Sequence, residues 1–241
     1  MVKAYFFHQE LAKEVLITMI DIYSVPGFTQ PFSSISFFLG ALIFTYLAYF
    51  LIRRGKGSAI RIVSLTLFSI CCVFLLVISA VYHLLETSGT AHVVFQRLDH
   101  AAIFLVIAGT FTPIQCILFT GFQRWGFLTI LWVLAISGLV IKTIFFTTIP
   151  EWLGLSFYLG LGWMGIVMGY KLWRSYGFAF IRPLVIGGIC YTIGAIIEYR
   201  HTYILLPGIL GPHEILHIAV LAGIGFQWWF IIKAMERFPS K

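Results

Sequence analysis

The chain has 241 residues, of which 60% are hydrophobic and only 10% charged, against a charged share of roughly 25% in soluble domains. That balance excludes a soluble globular protein and leaves a helical membrane protein. The formal net charge of +7 reads as topology and contact with lipid headgroups. No Arg/Lys cluster is interleaved with aromatic residues on a polar surface, so membrane lipids are the expected partners, nucleic acid is not, and no soluble partner is evident.

Residues 1–30 mix Leu11, Val15, Ile17, Ile20 and Ile22 with Lys3, Glu10, Lys13, Glu14 and Asp21. This predicts a short amphipathic segment on the membrane surface, ended by Val25-Pro26-Gly27, and does not resemble a cleavable signal peptide. Apolar runs of about 20 residues, each long enough to cross a bilayer, then recur to the C-terminus. The predicted spans cover about residues 33–52, 60–85, 98–119, 125–146, 150–173, 183–198 and 212–232. Arg53-Arg54-Gly55-Lys56-Gly57 closes the first span, and a polar loop from Glu86 to Arg97 precedes the third. Thr112-Pro113 should kink the third span, with the freed carbonyl taken by a threonine or a neighbour. Gly165-x-x-x-Gly169 in the fifth would let another helix approach closely. Pro183 opens the sixth, a loop runs from Tyr199 to Gly211, and Gly211-Pro212 opens the seventh. The fold class is all-α: a seven-transmembrane helix bundle forming one domain over residues 31–241. Cys71, Cys72, Cys116 and Cys190 all lie in apolar runs and form no C-x-x-C pair, so they should pack as small hydrophobes.

Lys and Arg set the expected orientation. With the loop after the first span in the cytoplasm, that side holds eleven of the 16 Lys and Arg and the other side five. The N-terminus is then outside and the C-terminus cytoplasmic.

Ionisable groups in or beside a span are costly and mark function by default. Three places carry them: Ser79 and His83 at the end of span two, Asp99-His100 at the start of span three, and His213 and His217 at the start of span seven. Each pair spaced by four shares a helix face. Span two runs opposite to spans three and seven, so all three places lie on one membrane face. His83, His213 and His217 supply three imidazoles, the usual ligand set of an open catalytic zinc site. Asp99 is either a fourth ligand or, the favoured role, the carboxylate that holds and deprotonates a zinc-bound water; as a helix N-cap it would need neither. Ser79 is placed to hydrogen-bond that water or a substrate oxygen, with a bond back to a carbonyl of its own helix as the alternative.

The remaining polar groups are given simpler roles. His100 points about 100° away from Asp99 around the helix, His92 and His201 fall in loops, and His8 is assigned nothing. Glu214 is accounted for by the helix dipole, and Glu198 by pairing with Arg200 or headgroups.

Ser79-x-x-x-His83, the block from Leu98-Asp99-His100 to Thr112-Pro113, and His213-Glu214-Ile215-Leu216-His217 resemble the hemolysin III branch of the progestin and adiponectin receptor family. The short N-terminal region is closer to its bacterial members, which implies a bacterial inner (plasma) membrane. The resemblance implies seven helices with zinc on His83, His213 and His217, and a site completed by Asp99 and Ser79. It also places the chain near membrane-embedded metal hydrolases. The leading expectation is a zinc-dependent hydrolase of a lipid amide or ester. The alternatives are a non-enzymatic sensor of lipid state with a structural zinc and, more remotely, a cytolytic pore.

Overall fold

The computed structural model describes residues 30–86, 89–200 and 211–239. The predicted amphipathic segment, apart from its last residue, and His8 and His201 lie outside them. Among the described residues every regular element is helical: α1 Pro31–Arg54, α2 Ala59–Leu84, α3 Thr90–Leu118, α4 Gly121–Ile144, α5 Glu151–Trp163, α6 Gly165–Tyr176, α7 Phe178–Arg200 and α8 Pro212–Arg237. Helices α5 and α6 form one crossing, so seven apolar crossings result. Helices answer the bilayer's main demand, because no water is present there to satisfy backbone N–H and C=O groups.

The bundle is organised around α3. Of its most apolar stretch 78% is buried, against 22% for α4 and 17% for the fifth crossing. Small residues bring its neighbours close. At Gly109 an added Cβ would lie 2.9 Å from Cβ of Cys71, so α2 and α3 touch nearly backbone to backbone. Cys71 and Cys72 are buried and unbridged and pack as the small hydrophobes expected. Lipid-facing positions such as Phe38, Leu42 and Ile43 on α1, and Val133 on α4, are exposed apolar groups.

Four local features depart from or refine the sequence reading. First, α3 begins at Thr90, so most of the expected loop from Glu86 to Arg97 is helix. At 1.5 Å per residue its 29 residues span about 43 Å, longer than the roughly 30 Å hydrocarbon core. The first two turns project beyond the apolar layer and therefore lack an apolar signature. Second, α3 continues through Pro113, with Thr110 and Thr112 hydroxyls donating to the Val106 and Ala108 carbonyls at 2.7 and 2.8 Å.

Third, α7 starts five residues before Pro183. Proline at 183 deprives the Ala179 carbonyl of its partner four residues on, and Lys233 Nζ donates to that carbonyl at 2.6 Å. Fourth, the fifth crossing breaks at Met164 between α5 and α6. Gly165 does permit a close approach, since a Cβ there would lie 2.6 Å from the Phe111 ring, whereas Gly169 meets open space.

Candidate metal centre

One end of the bundle gathers the starts of α1, α3, α5 and α8 and the ends of α2, α4 and α7. The start of α8 is fixed locally. Pro212 occupies the first turn, and the Glu214 carboxylate accepts the Gly211 N–H at 3.0 Å. That bond is one half of a capping box and satisfies the backbone donor of the N-cap residue. The other oxygen of Glu214 accepts from Ser33 Oγ at 3.2 Å, tying α8 to α1. Glu214 thus does more than the helix-dipole role expected of it: it caps α8 and makes a tertiary contact.

With α8 set in this way, His213 and His217 project from one face, one turn apart. His83, the last residue but one of α2, meets them. One ring nitrogen from each of the three lies within 4.8 Å of the others. Nε2 of His83 and Nε2 of His213 are 3.3 Å apart, and the ring centroids lie 4.5 to 4.8 Å from one another. His83 and His217 are each 3% exposed. The His217 ring stacks on Phe37 at 4.0 Å, nearly parallel, which fixes its plane.

The donor chemistry fits a divalent cation. Nδ1 of His213 and Oε1 of Glu198 are 3.0 Å apart. A neutral ring that donates from Nδ1 carries its lone pair on Nε2, the atom aimed at His83. A carboxylate behind a ligating histidine also raises its basicity and fixes its tautomer. The buried His83/His213/His217 cluster could therefore hold a metal ion, and neutral imidazole suits zinc among several first-row metals.

Asp99 lies ten residues into α3, so it is not an N-cap. Among the described residues it does not join the three-nitrogen group. Ser79, the other residue expected at this place, is 1% exposed. Both line the cavity that His213 and His217 also line. His100 is not one of the three clustered histidines, and its Nδ1 donates to the Gln96 carbonyl at 2.9 Å, but the expected separation from Asp99 does not hold, since the same nitrogen lies 4.0 Å from Asp99 Oδ2. His100 also lines the same cavity. His92 is on α3 and not in a loop; its ring lies 4.7 Å from that of Tyr82.

Three cavity groups were not singled out from sequence. Glu198 does not simply serve Arg200 or headgroups; it supports His213. Tyr158 on α5 donates its hydroxyl to the His100 carbonyl at 3.2 Å. Lys142 on α4 is buried beside Gly154. The placement of Glu198 was within reach of the parity argument, because the end of span six falls on the face where span seven begins.

The cavity holds about 300 Å³, the lower end of the range for small-molecule sites. Its wall is mostly apolar, and it extends from the histidines along α3 and α8 to Thr110 and Gln227. Exposed Trp163 on α5 and exposed Gly188 on α7 also line it, so it reaches the lipid-facing surface between those helices. Trp163 Nε1 bridges that gap to Thr192 Oγ1 at 3.4 Å.

Comparison with known proteins identifies the family. The family model described as haemolysin-III related matches residues 28–228. A hemolysin-3 homolog of Bacillus subtilis (strain 168) is 31% identical over 203 residues, covering 83% of this chain and 92% of that protein. Hemolysin-3 of Bacillus cereus is 31% identical over 179 residues, covering 73% and 77%. With seven crossings and a match over most of its length, this integral membrane protein belongs to the haemolysin III-related family.

Proposed function

We propose that this protein is a zinc-dependent intramembrane hydrolase of a lipid amide or ester. The observation that carries the reading is the junction of two features: a three-histidine cluster, and an apolar cavity that leads from it to the lipid-facing surface. A zinc ion held there would supply Lewis acidity toward a carbonyl oxygen and bring the pKa of a water molecule toward about 7. The chain's own residues do the rest. His83, His213 and His217 hold the metal through ring nitrogens, and Glu198 keeps His213 in the tautomer that binds. Asp99 takes the proton of the attacking water and returns it to the leaving group. Ser79, on the same cavity wall, hydrogen-bonds the attacking water or a substrate oxygen. Apolar walls exclude bulk water and align an acyl chain with the site.

The contrast between two variants tests this. Asp99→Asn preserves shape and removes the base. It should keep its zinc and fold normally, yet lose lipid hydrolysis by about 10² to 10⁴, the range for a general base. His217→Ala should lose zinc, together with the folding energy that metal binding contributes. If Asp99→Asn releases zinc as fully as His217→Ala does, Asp99 is a direct ligand and the open catalytic site is lost. The second reading, a lipid-state sensor with a structural zinc, then becomes the better one. It draws support from the way the histidines pin the end of α2 to the start of α8.

The proposed setting is a bacterial inner membrane, with the metal centre outward and the C-terminus cytoplasmic. It rests on the eleven-to-five division of Lys and Arg and on the bacterial relatives. A C-terminal fluorescent reporter should mature in the cytoplasm; a periplasmic reporter active at the same position would reverse the orientation.

A further inference from the structure

Lys142 stands in the last turn of α4, at the end of the bundle that carries the histidines, and is only 7% exposed. Lysines near the ends of membrane helices ordinarily extend outward to the headgroups. This one folds back. It passes over Gly154 on α5, where a Cβ would lie 3.3 Å from its Nζ, so the glycine leaves the room that the ammonium uses. The Phe146 ring covers it at 4.7 Å, a cation–π contact. Among the described residues Nζ makes no ion pair and no hydrogen bond; Glu151, the acid that acts on it electrostatically, is beyond ion-pair reach.

An ammonium carries three donors and no acceptor. In an apolar enclosure it is costly unless an anion accepts from it. Lys142 lines the same cavity as Asp99, His100, Glu151 and His213, and the lining also carries Ile103, Ile107, Leu155 and Leu159. The cavity therefore has an ammonium whose donors find no hydrogen-bond or ion-pair partner among the described residues, although Glu151, Asp99 and Glu198 share its lining, together with apolar wall residues and a metal-ligand cluster elsewhere on that lining. A membrane amphiphile with one anionic group matches all three features better than a neutral lipid does.

We infer that Lys142 is an anion subsite of the cavity: it binds the oxyanion of an acyl amphiphile, a carboxylate or a phosphate, whose chain lies along the Ile103 and Leu155 wall. This rests on the lipid reading given above and narrows its substrates and products to anionic ones. Carboxylate and phosphate share the chemistry, and the probes separate them.

The test uses the full chain purified into nanodiscs of neutral lipid. Binding of tritiated oleate, 1-oleoyl lysophosphatidic acid and oleyl alcohol is measured for wild type, Lys142→Met and Lys142→Gln. Both variants remove an unpaired buried charge, so both should fold; zinc per chain and the melting temperature are read on each sample. At least one anionic probe should bind wild type and weaken about tenfold or more in both variants, the loss expected of a hydrogen bond to a charged group. Oleyl alcohol should change less than twofold. Weakening confined to oleate assigns a carboxylate, and weakening confined to the lysophospholipid assigns a phosphate. If neither anion binds wild type, if the variants bind both as well as wild type does, or if the alcohol weakens equally, the subsite is overturned. Zinc-free wild type with Lys142-dependent anion binding would overturn the metal reading alone; full zinc without that dependence would overturn the subsite alone.

Discussion

The two ends of the bundle use the same kinds of residue in opposite ways. At the end away from the histidines, the cations turn to helix termini. Arg61 Nη1 donates to the Phe238 carbonyl at 2.6 Å and Arg124 Nε to the Phe119 carbonyl at 2.7 Å, both at the C-terminal ends of helices where positive charge complements the dipole. Arg54 pairs with Glu236 at 3.3 Å, with side chains 48% and 66% exposed. At the histidine end, Arg97 still reaches a carbonyl, that of Thr143 at 3.5 Å. Six further groups turn inward: His83, His213, His217, Asp99, Glu198 and Lys142 line the cavity or pack around it. Caps, exposed pairs and, at Lys233, the carbonyl released by Pro183 account for the first arrangement. Nothing in helix construction requires the second, and groups held at that cost are the ones expected to do chemistry.

The contrast is sharpened most by Glu198. If it serves only as a polar end to α7, its removal should resemble losing a charge at the far end. If it holds His213, Glu198→Ala should weaken zinc binding by about 10- to 100-fold, the usual cost of losing the partner behind a ligating histidine, with Glu198→Gln falling between. Competition against a chelator of known affinity reads this directly. Unchanged zinc affinity in Glu198→Ala would reduce the pairing to a structural contact.

How much of this could be read in the chain follows from which signals are local. The seven crossings are legible because the bilayer demands about 20 apolar residues in a row, and six of the predicted spans lie within a few residues of the helices at both ends or nearly so. The start of α3 is not legible: Thr90 to Arg97 is helical but lies where the apolar layer no longer selects its composition. The early start of α7 is hidden for another reason. Pro183 looks like a first-turn residue until Lys233, fifty residues on, is seen to satisfy the carbonyl that the proline releases. The histidine triad is legible because i, i+4 spacing and span parity are both properties of the sequence. Glu198 and Lys142 differ in that their roles depend on which way a side chain turns at a helix end. Glu198 could equally have faced Arg200, and Lys142 could have extended to the headgroups; packing against His213 in one case and over Gly154 in the other decides.

The smallest effect is expected at the far end, from the Arg54–Glu236 pair. Both side chains are substantially exposed, so water and salt screen the attraction and each chain loses rotamer freedom to hold it. Arg54→Ala, Glu236→Ala and the double variant should give a coupling of about 0.2 to 1 kcal/mol in thermal melts of the detergent-solubilised protein, shrinking further in high salt. Zinc per chain should be the same in all three. A coupling above about 2 kcal/mol, or zinc loss in either single variant, would mean that the ends are not independent. Charge at the far end would then act through α1 and α8 on the start of α8, where Ser33 and Glu214 join those helices beside His213, and the division of labour between the ends would have to be abandoned.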